Sequence, residues 1–269
     1  MNVGIYSNRN YLDRDNANIL RIKERLFKAG YTCKIVEKIA DIEGLEVLFV
    51  LGGDGTILTV AAECAKRKVK IIGINYGHIG FLTEFEADRI DEAVSLVIEG
   101  NFKLQKRSLL EIDSGDSFLA LNEIAIQRNT GAANYSNIVN IHAEIDGTTV
   151  DNFSSDGLIV STPTGSTAYA LSAGGSVLSP DLHAFSLTPI CAHSLHSRPV
   201  VFSDDSTVTI SPVSCRDPLV MIVDGKVVGR LPEGEKVTIR KSRYFAEFIT
   251  KGEEDFFKKL LIKLSIWSK

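Results

Sequence analysis

Apolar residues in the N-terminal part of the chain alternate between short continuous runs and helical spacing. The continuous runs cover residues 3–6, 33–36, 47–51 and 69–74. Helical spacing covers residues 17–29 and 89–99, and these stretches end at Gly30 and Gly100. Strands that alternate with helices are typical of a parallel sheet with helices on both faces. We therefore predict an α/β domain, Rossmann-like with a mostly parallel sheet, over residues 1–105.

Beyond residue 105 the apolar pattern changes to a period of two. The predicted strands cover residues 109–112, 118–127, 138–145, 157–161, 207–210, 219–223, 236–239 and 244–249. The pairs Asp146-Gly147 and Asp224-Gly225 are strong signals for hairpin turns. This pattern predicts an antiparallel all-β domain over residues 106–252.

The last segment, residues 253–269, returns to helical spacing. Lysines fall on one side of the predicted helix and apolar residues on the other. The apolar residues are Phe256, Phe257, Leu260, Leu261 and Leu264. An apolar face of this kind is typical of a docking helix, so we expect the segment to return to the N-terminal domain rather than to bind a membrane.

Composition and charge exclude some functions. The chain has 269 residues, 44% of them hydrophobic, and a formal net charge of −4, which argues against nucleic-acid binding as its main role. The four cysteines show no C-x-x-C pair and are expected to be reduced, mostly buried thiols. No signal segment and no apolar run near 18 residues is visible, so we expect a cytoplasmic protein that binds no membrane. No side chains are predicted as metal ligands.

Residues 52–56 (GGDGT) carry most of the functional information. An apolar strand leads into this glycine-rich turn, and a helical stretch follows directly. Glycines let the backbone approach a ligand closely, and a helix N-terminus presents unpaired N–H groups that suit a phosphate. Asp54 is unusual there, because a carboxylate repels phosphate unless it handles a proton or a metal ion. The turn indicates a phosphate site with a chemical role for Asp54; the alternative is that Asp54 only caps the helix.

A second loop is expected beside this turn. Ligand sites of doubly wound sheets lie beyond the C-terminal ends of the strands, so residues 52–56 and 75–83 should flank one crevice. Residues 75–83 contain two glycines and Phe81, which would suit the floor of a ribose or base site. Phe81 could equally belong to the core.

The β half contains two further candidates. Residues 156–175 are rich in small hydroxyl residues with proline and glycine, and such a turn exposes amides and hydroxyls that fit a base or a phosphate. A purely structural loop is the alternative. Asn122 and Glu123 fall inside the predicted strand 118–127 and should point to opposite faces, so one of them needs a buried partner, such as a vicinal diol.

Together these motifs resemble the NAD kinase (ATP-NAD kinase) family in order and spacing. They are GGDGT at 52–56, GxxGFLT at 77–83, Asn122-Glu123, and the segment 156–169 that ends in TPTGSTAY. GGDGT is shared with diacylglycerol-kinase-like and phosphofructokinase-like enzymes, whereas TPTGSTAY is specific to the NAD kinase family. The resemblance covers almost the whole chain. It implies transfer of the ATP γ-phosphoryl group to the 2′-hydroxyl of the adenosine ribose of NAD. It also implies a divalent metal ion such as Mg²⁺ and a homo-oligomer, either a dimer or a tetramer.

The resemblance also implies roles for single residues. Asp54 would be the general base on the 2′-hydroxyl, Asn122 and Glu123 would bind the adenine and ribose groups, and Asp156 would accept from the nicotinamide carboxamide. The ATP and phosphate set is Gly52, Gly53, Gly55 and Thr56. The predicted NAD-binding set is Asp54, Gly55, Phe81, Asn122, Glu123, Ser154, Asp156, Thr164, Thr167, Ala168, Tyr169, Ala170, Leu171, Ser172 and Lys226. Lys226 is included as a substitute for the basic residue absent at Ser154, not by resemblance.

Two positions depart from the family pattern. Many members carry a basic residue where this chain has Ser154, and often also where it has Thr59. Both departures remove positive charge that would face phosphate. Lys226 and Arg128 are the substitutes that the sequence offers.

Two other functions share part of this evidence. A lipid or sugar kinase would use the same GGDGT turn, but it leaves Asn122-Glu123 and residues 164–169 without a ligand. A non-catalytic dinucleotide sensor would explain the binding motifs, but it has no use for Asp54.

Overall fold

The computed structural model describes residues 1–7, 12–77, 80–113, 117–129, 138–252 and 256–267. The chain forms two compact units, one made of Met1–Arg107 with Tyr244–Lys269 and the other of Ser108–Arg243. The elements in chain order are β1 (Asn2–Ser7), α1 (Leu12–Lys28), β2 (Thr32–Ile35), β3 (Val47–Leu51), α2 (Asp54–Arg67), β4 (Lys70–Asn75), β5 (Phe85–Glu86), α3 (Ile90–Glu99), β6 (Lys103–Asp113), β7 (Ser117–Ala120), β8 (Glu123–Gln127), β9 (Val139–Ile145), β10 (Thr148–Ser155), β11 (Gly157–Ser161), α4 (Tyr169–Ser172), β12 (Ala184–Ile190), β13 (Val200–Ser203), β14 (Val208–Ser214), β15 (Leu219–Val223), β16 (Lys226–Leu231), β17 (Val237–Thr250) and α5 (Phe256–Trp267).

The first unit contains the predicted parallel sheet. Its strands run in the order β4, β3, β1 and β2, all parallel, and the end of β17 pairs in parallel with β4 through Phe248 and Ile71. β3 is buried at every position, because both of its faces are covered, and this explains why its sequence is continuously apolar. Ile5 and Phe49 of the sheet pack in one apolar cluster with Leu26 of α1 and Val94 of α3. The α/β prediction is therefore confirmed.

The second unit is an antiparallel β structure, as predicted. One array has the order β13, β12, β11, β8, β15 and β16, and every pair in it is antiparallel. β10, β9 and β14 form a second antiparallel array, which β17 extends. Both predicted hairpin turns are present, and in each the Asp-Gly pair has the positive φ angles that a type I′ turn requires: 50° and 76° at Asp146-Gly147, and 44° and 78° at Asp224-Gly225.

Some predicted strands are wrong in extent. Residues 118–127 form two strands rather than one, because the chain leaves β7 after Ala120 and enters β8 at Glu123. The two predicted strands 236–239 and 244–249 are one long strand, β17, which begins at Val237. β10, β12, β13 and β16 were not predicted. The residues of β10, β13 and β16 lack a clean alternation of apolar and polar side chains, whereas Phe185 to Thr188 of β12 alternate and this signal was missed.

The expected faces of the C-terminal helix are only partly right: Phe256 packs against Phe81 and Leu260 is half-buried, but the other three predicted apolar residues are exposed. Phe257, Leu261 and Leu264 are 62%, 69% and 42% exposed. Lys259 bonds to the carbonyl of Thr83 in the loop after β4, and Lys263 bonds to the carboxylate of Asp54 at the start of α2. These two partners hold both lysines inward. None of the helices in the described ranges is long and apolar enough to cross a bilayer.

Candidate functional site

The GGDGT turn joins β3 to α2 in the first unit. The amide of Gly52 donates to the carbonyl of Ile74 at 2.9 Å, which ties the turn to the end of the neighbouring strand β4. Gly52 has φ +145°, and a Cβ there would lie 2.3 Å from Oγ1 of Thr56. Only glycine fits this position, so the backbone and Thr56 can approach each other closely. Gly53 and Gly55 are exposed at the start of α2, where their amides can face a ligand.

Asp54 is the first residue of α2, but its carboxylate does not cap that helix. Oδ2 accepts the backbone N–H of Phe81 at 2.9 Å, and Oδ1 accepts that of Leu82 at 3.0 Å. A Cβ on Gly80 would lie only 2.2 Å from Oδ1, so the loop reaches the carboxylate because residue 80 is glycine. The structure thus brings residues 52–56 and the described part of 75–83 together, as the strand order predicted, and Asp54 is fixed in orientation by a second loop.

The C-terminal helix adds a cation to this loop. Nζ of Lys263 lies 3.4 Å from Oδ2 of Asp54 and 4.1 Å from the ring centroid of Phe81. Nζ of Lys259 donates to the carbonyl of Thr83 at 2.8 Å, and burial lowers the pKa of Lys259. The ring of Phe256 lies 6.0 Å from that of Phe81. Phe81 is therefore half-buried beneath α5.

In the second unit, the carboxylate of Asp224 organises the break between β7 and β8. It accepts the backbone N–H groups of Leu121, Asn122 and Glu123 at 2.7, 2.8 and 3.1 Å. Asp224 is the first residue of the tight turn between β15 and β16, with φ 44°. Burial raises its pKa, while the three amides and the charge of Lys226 act in the opposite direction.

Asn122 precedes β8 and Glu123 is its first residue, so the two do not lie together inside one strand as predicted. Both are 9% exposed, and their amides turn towards Asp224. The carbonyl of Asn122 accepts the N–H of Thr162 at 2.9 Å. Oε2 of Glu123 is buried and has no hydrogen-bond partner among the residues that the structure describes. Burial raises the pKa of Glu123 from 4.5 to about 7, the charge of Asp224 adds to the shift, and the N–H of Tyr169 opposes it.

The hydroxyl-rich segment lies directly against Asn122. A Cβ on Gly165 would lie 2.0 Å from the carbonyl oxygen of Asn122, so the two backbones are in close contact. Oγ1 of Thr162 donates to the carbonyl of Leu121 at 2.6 Å and accepts the N–H of Gly165 at 3.1 Å. Ser166 is fully buried and bonds to Leu178. Much of this segment is thus internal scaffold that shapes the Asn122-Glu123 break.

The other predicted NAD residues spread around this scaffold. Thr164 and Thr167 are 8% and 9% exposed, and Tyr169 is 39% exposed with its hydroxyl bonded to Gln127. Ala170 is buried and Ser172 exposed. Ala168 and Leu171 are intermediate.

Ser154 and Thr59, which stand where many family members carry a basic residue, make hydrogen bonds to nearby groups. Ser154 donates its hydroxyl to Asn140, and Thr59 donates to the carbonyl of Gly55 at 3.2 Å. Arg128 pairs with Asp156 at 3.1 Å. Lys226 is exposed at the start of β16.

Sequence reasoning missed two important side chains. Asp224 was interpreted only as a turn residue, and no local pattern relates it to residues 121–123, which lie 101 to 103 positions earlier in the chain. Lys263 was read as part of a solvent-facing row, and no local pattern relates it to Asp54, which lies 209 positions earlier in the chain.

No group of three or more His, Cys, Asp or Glu side chains in the described residues is placed to hold a metal ion. The four cysteines are unpaired. Cys64 is buried, which raises its pKa to about 12, but Cys191 is exposed, so the expectation of mostly buried thiols is only partly met.

Comparison with known families gives matches to both parts of the chain. A family model described as the ATP-NAD kinase N-terminal domain matches residues 10–102, and one described as the ATP-NAD kinase C-terminal domain matches residues 121–251. The NAD kinase of Clostridium botulinum strain Kyoto is 38% identical over 100% of this chain and 98% of its own length. The NAD kinase of Geotalea daltonii is 35% identical over 87% of this chain and 83% of its own length.

Two solved structures with the same fold match nearly the whole length of this chain. An NAD kinase from Archaeoglobus fulgidus, solved in complex with ATP, has a TM-score of 0.82 and 28% identity over 98% of this chain and 99% of its own. Yeast NADH kinase complexed with NADH has a TM-score of 0.82 and 25% identity over 100% of this chain and 89% of its own.

Proposed function

The chain belongs to the ATP-NAD kinase family, and on that premise we propose that Asp54 is the general base of the reaction. The enzyme phosphorylates NAD to NADP. The observation that carries the proposal is the carboxylate at the start of α2, held by the amides of Phe81 and Leu82 instead of capping its own helix. A carboxylate oriented in this way can accept a proton from a hydroxyl.

The proposed reaction is a direct transfer without a covalent enzyme intermediate. The 2′-oxygen of the adenosine ribose of NAD forms a bond to the γ-phosphorus of ATP, and the bond from that phosphorus to the β,γ-bridging oxygen breaks, so that ADP leaves. The hydroxyl proton passes to the carboxylate of Asp54. Phosphoryl transfer depends mainly on positioning and charge stabilisation, and these are what a fixed carboxylate and a phosphate-binding turn supply.

We assign the phosphates of ATP to Gly52, Gly53, Gly55 and Thr56. The amides at the start of α2 suit an anion, and the close contact between Gly52 and Thr56 shapes the turn. The Archaeoglobus relative was solved with ATP, which supports ATP as the phosphoryl donor.

We assign NAD binding to the second unit together with Asp54, Gly55 and Phe81. Glu123 has a buried acceptor oxygen without a partner, and a ribose hydroxyl is a donor that would satisfy it. The yeast relative was solved with NADH, which supports a dinucleotide ligand. The remaining members of this set are Asn122, Ser154, Asp156, Thr164, Thr167, Ala168, Tyr169, Ala170, Leu171, Ser172 and Lys226.

A divalent ion, Mg²⁺, fits this proposal as a companion of the nucleotide. The described residues offer no cage of three or more ligands, but Mg²⁺ keeps several waters and binds through substrate phosphates with one or two carboxylates. Asp54 is the carboxylate at the turn that could contribute. The ion would neutralise phosphate charge during transfer.

The direct test is the formation of NADP from NAD, ATP and Mg²⁺, read with an NADP-specific dehydrogenase. Asp54→Asn should lower kcat by about 100-fold or more, the scale of losing a general base, while binding of NAD stays close to that of the wild type. If Asp54→Asn weakened NAD binding and left turnover intact, Asp54 would be a binding residue and another group would be the base. The sequence similarity over the full chain argues against the lipid or sugar kinase alternative.

We further propose that the enzyme is a cytoplasmic homo-oligomer, a dimer or tetramer. The unpaired cysteines are consistent with a reducing compartment. Light scattering of the purified protein tests the oligomer, and a monomer at assay concentration would refute it.

A further inference from the structure

The first unit places a lysine of the C-terminal helix at the proposed general base. Nζ of Lys263 lies 3.4 Å from Oδ2 of Asp54 and 4.1 Å from the ring centroid of Phe81, and its side chain is only 16% exposed. A half-buried ammonium in this position is stabilised by the carboxylate and by the aromatic face together.

The neighbouring Lys259 has a different task. It donates to the carbonyl of Thr83 at 2.8 Å, one turn earlier on α5, and so fastens the helix to the loop. Lys263 instead contacts the carboxylate at a longer distance. An ammonium carries three donor hydrogens, so contact with Asp54 leaves donors that can reach another acceptor.

The other lysine near this turn, Lys259, also interacts electrostatically with Asp54, but its ammonium is engaged by the carbonyl of Thr83. Residues 52–59 (GGDGTILT) contain no lysine or arginine. Arg128, which the sequence offered as a substitute, is paired with Asp156 in the second unit. A phosphate that approached Asp54 without a cation would meet a net negative charge, which disfavours binding.

We propose that Lys263 is the cation that binds the transferred phosphoryl group of the nucleotide. In the free protein its ammonium lies against Asp54; when ATP is bound it contacts the γ-phosphate oxygens. This move leaves an acceptor position on Oδ2 for the substrate hydroxyl, because Oδ2 otherwise accepts both Lys263 and the amide of Phe81. Preorganised cations aimed at developing phosphoryl charge are a main source of rate in such reactions. The inference rests on the proposed role of Asp54.

The kinetic test compares Lys263→Met, Lys263→Arg and the control Lys258→Met. Lys258 lies on the same helix with an exposed side chain. We expect Lys263→Met to lower kcat/KM for ATP by about 100-fold, with KM for NAD within about twofold of wild type. Lys263→Arg should recover activity to within about tenfold of wild type, and Lys258→Met should match wild type. The proposal is wrong if Lys263→Met has the same kinetics as Lys258→Met. It is also wrong if Lys263→Met impairs the use of ATP and of NAD equally and Lys263→Arg does not recover activity.

A binding measurement separates this inference from the role of Asp54. Equilibrium binding of ATP and of inorganic triphosphate is measured in the Asp54→Asn background, with and without Lys263→Met. If Lys263 binds phosphate directly, Lys263→Met weakens both ligands about tenfold or more there too. If the effect disappears when Asp54 is replaced, Lys263 acts only through Asp54 and the proposal fails. Retained turnover in Asp54→Asn alone would overturn the base assignment and leave this binding result standing.

Discussion

Glu123 should make the stability of the folded protein depend on pH. The residue is 9% exposed, its Oε2 has no hydrogen-bond partner, and burial together with the charge of Asp224 raises its pKa from 4.5 to about 7. Glu123→Gln is the informative change, because glutamine keeps the shape of the protonated acid and cannot ionise.

The sign and size of the effect follow from proton linkage. Between pH 4.5 and about 7 the folded protein holds a proton that the unfolded chain has released, so stability falls as pH rises through this window. A pKa raised from 4.5 to about 7 corresponds to roughly 3 kcal/mol, at about 1.4 kcal/mol per pH unit. The pKa of Asp224 is raised as well, chiefly by its own burial, and this burial is common to both proteins.

The assay is urea unfolding followed by far-UV circular dichroism, without nucleotide, from pH 5 to pH 8.5. The free energy of unfolding of Glu123→Gln minus that of wild type should rise with pH by about 3 kcal/mol and level off above pH 8. Glu235→Gln, at an exposed position of the same unit, should run parallel to wild type. If the difference in free energy of unfolding between Glu123→Gln and wild type does not change with pH over this range, Glu123 is not a buried carboxyl with a raised pKa.

NAD binding should show the opposite pH trend. A ribose hydroxyl donates to a carboxylate more strongly than to a protonated acid, so KM for NAD should fall as pH rises through 7. Glu123→Gln should lose this dependence. If the variant keeps the wild-type pH profile of KM, Glu123 does not contact the dinucleotide.

Two glycine substitutions test the close contacts of each unit. Gly80→Ala places a methyl 2.2 Å from Oδ1 of Asp54, so kcat should fall at least tenfold. The control is Gly77→Ala, where a Cβ meets open space and kcat should match wild type. Equal kcat in the two variants would contradict a carboxylate held in place by the loop. Gly165→Ala places a methyl 2.0 Å from the carbonyl of Asn122, which should cost about 1–3 kcal/mol of unfolding free energy by urea titration and raise KM for NAD. A Gly165→Ala variant with wild-type stability and KM would show that the two segments can separate freely.

Local sequence was enough to predict the frame of both units and the place of Asp54 at the turn. The continuous apolar run of β3, the glycines after it and the helical spacing of α2 are properties of adjacent residues, and they gave the α/β unit and the position of Asp54. The two Asp-Gly hairpins were predicted for the same reason, since a tight turn needs positive φ at residues next to each other. The assignment of roles to the NAD-binding residues came from resemblance to a family rather than from these patterns.

Tertiary structure alone decided how the site is supported. Asp224 bonds to amides 101 to 103 positions away, which split the predicted strand 118–127 and buried both Asn122 and Glu123. Lys263 reaches Asp54 across 209 positions, and this contact turns a lysine of α5 inward beside Phe256, although three predicted apolar residues of the helix stay exposed. Periodicity reports which side of an element is apolar, but the partner of a charged side chain depends on which distant segment the fold brings within hydrogen-bond distance.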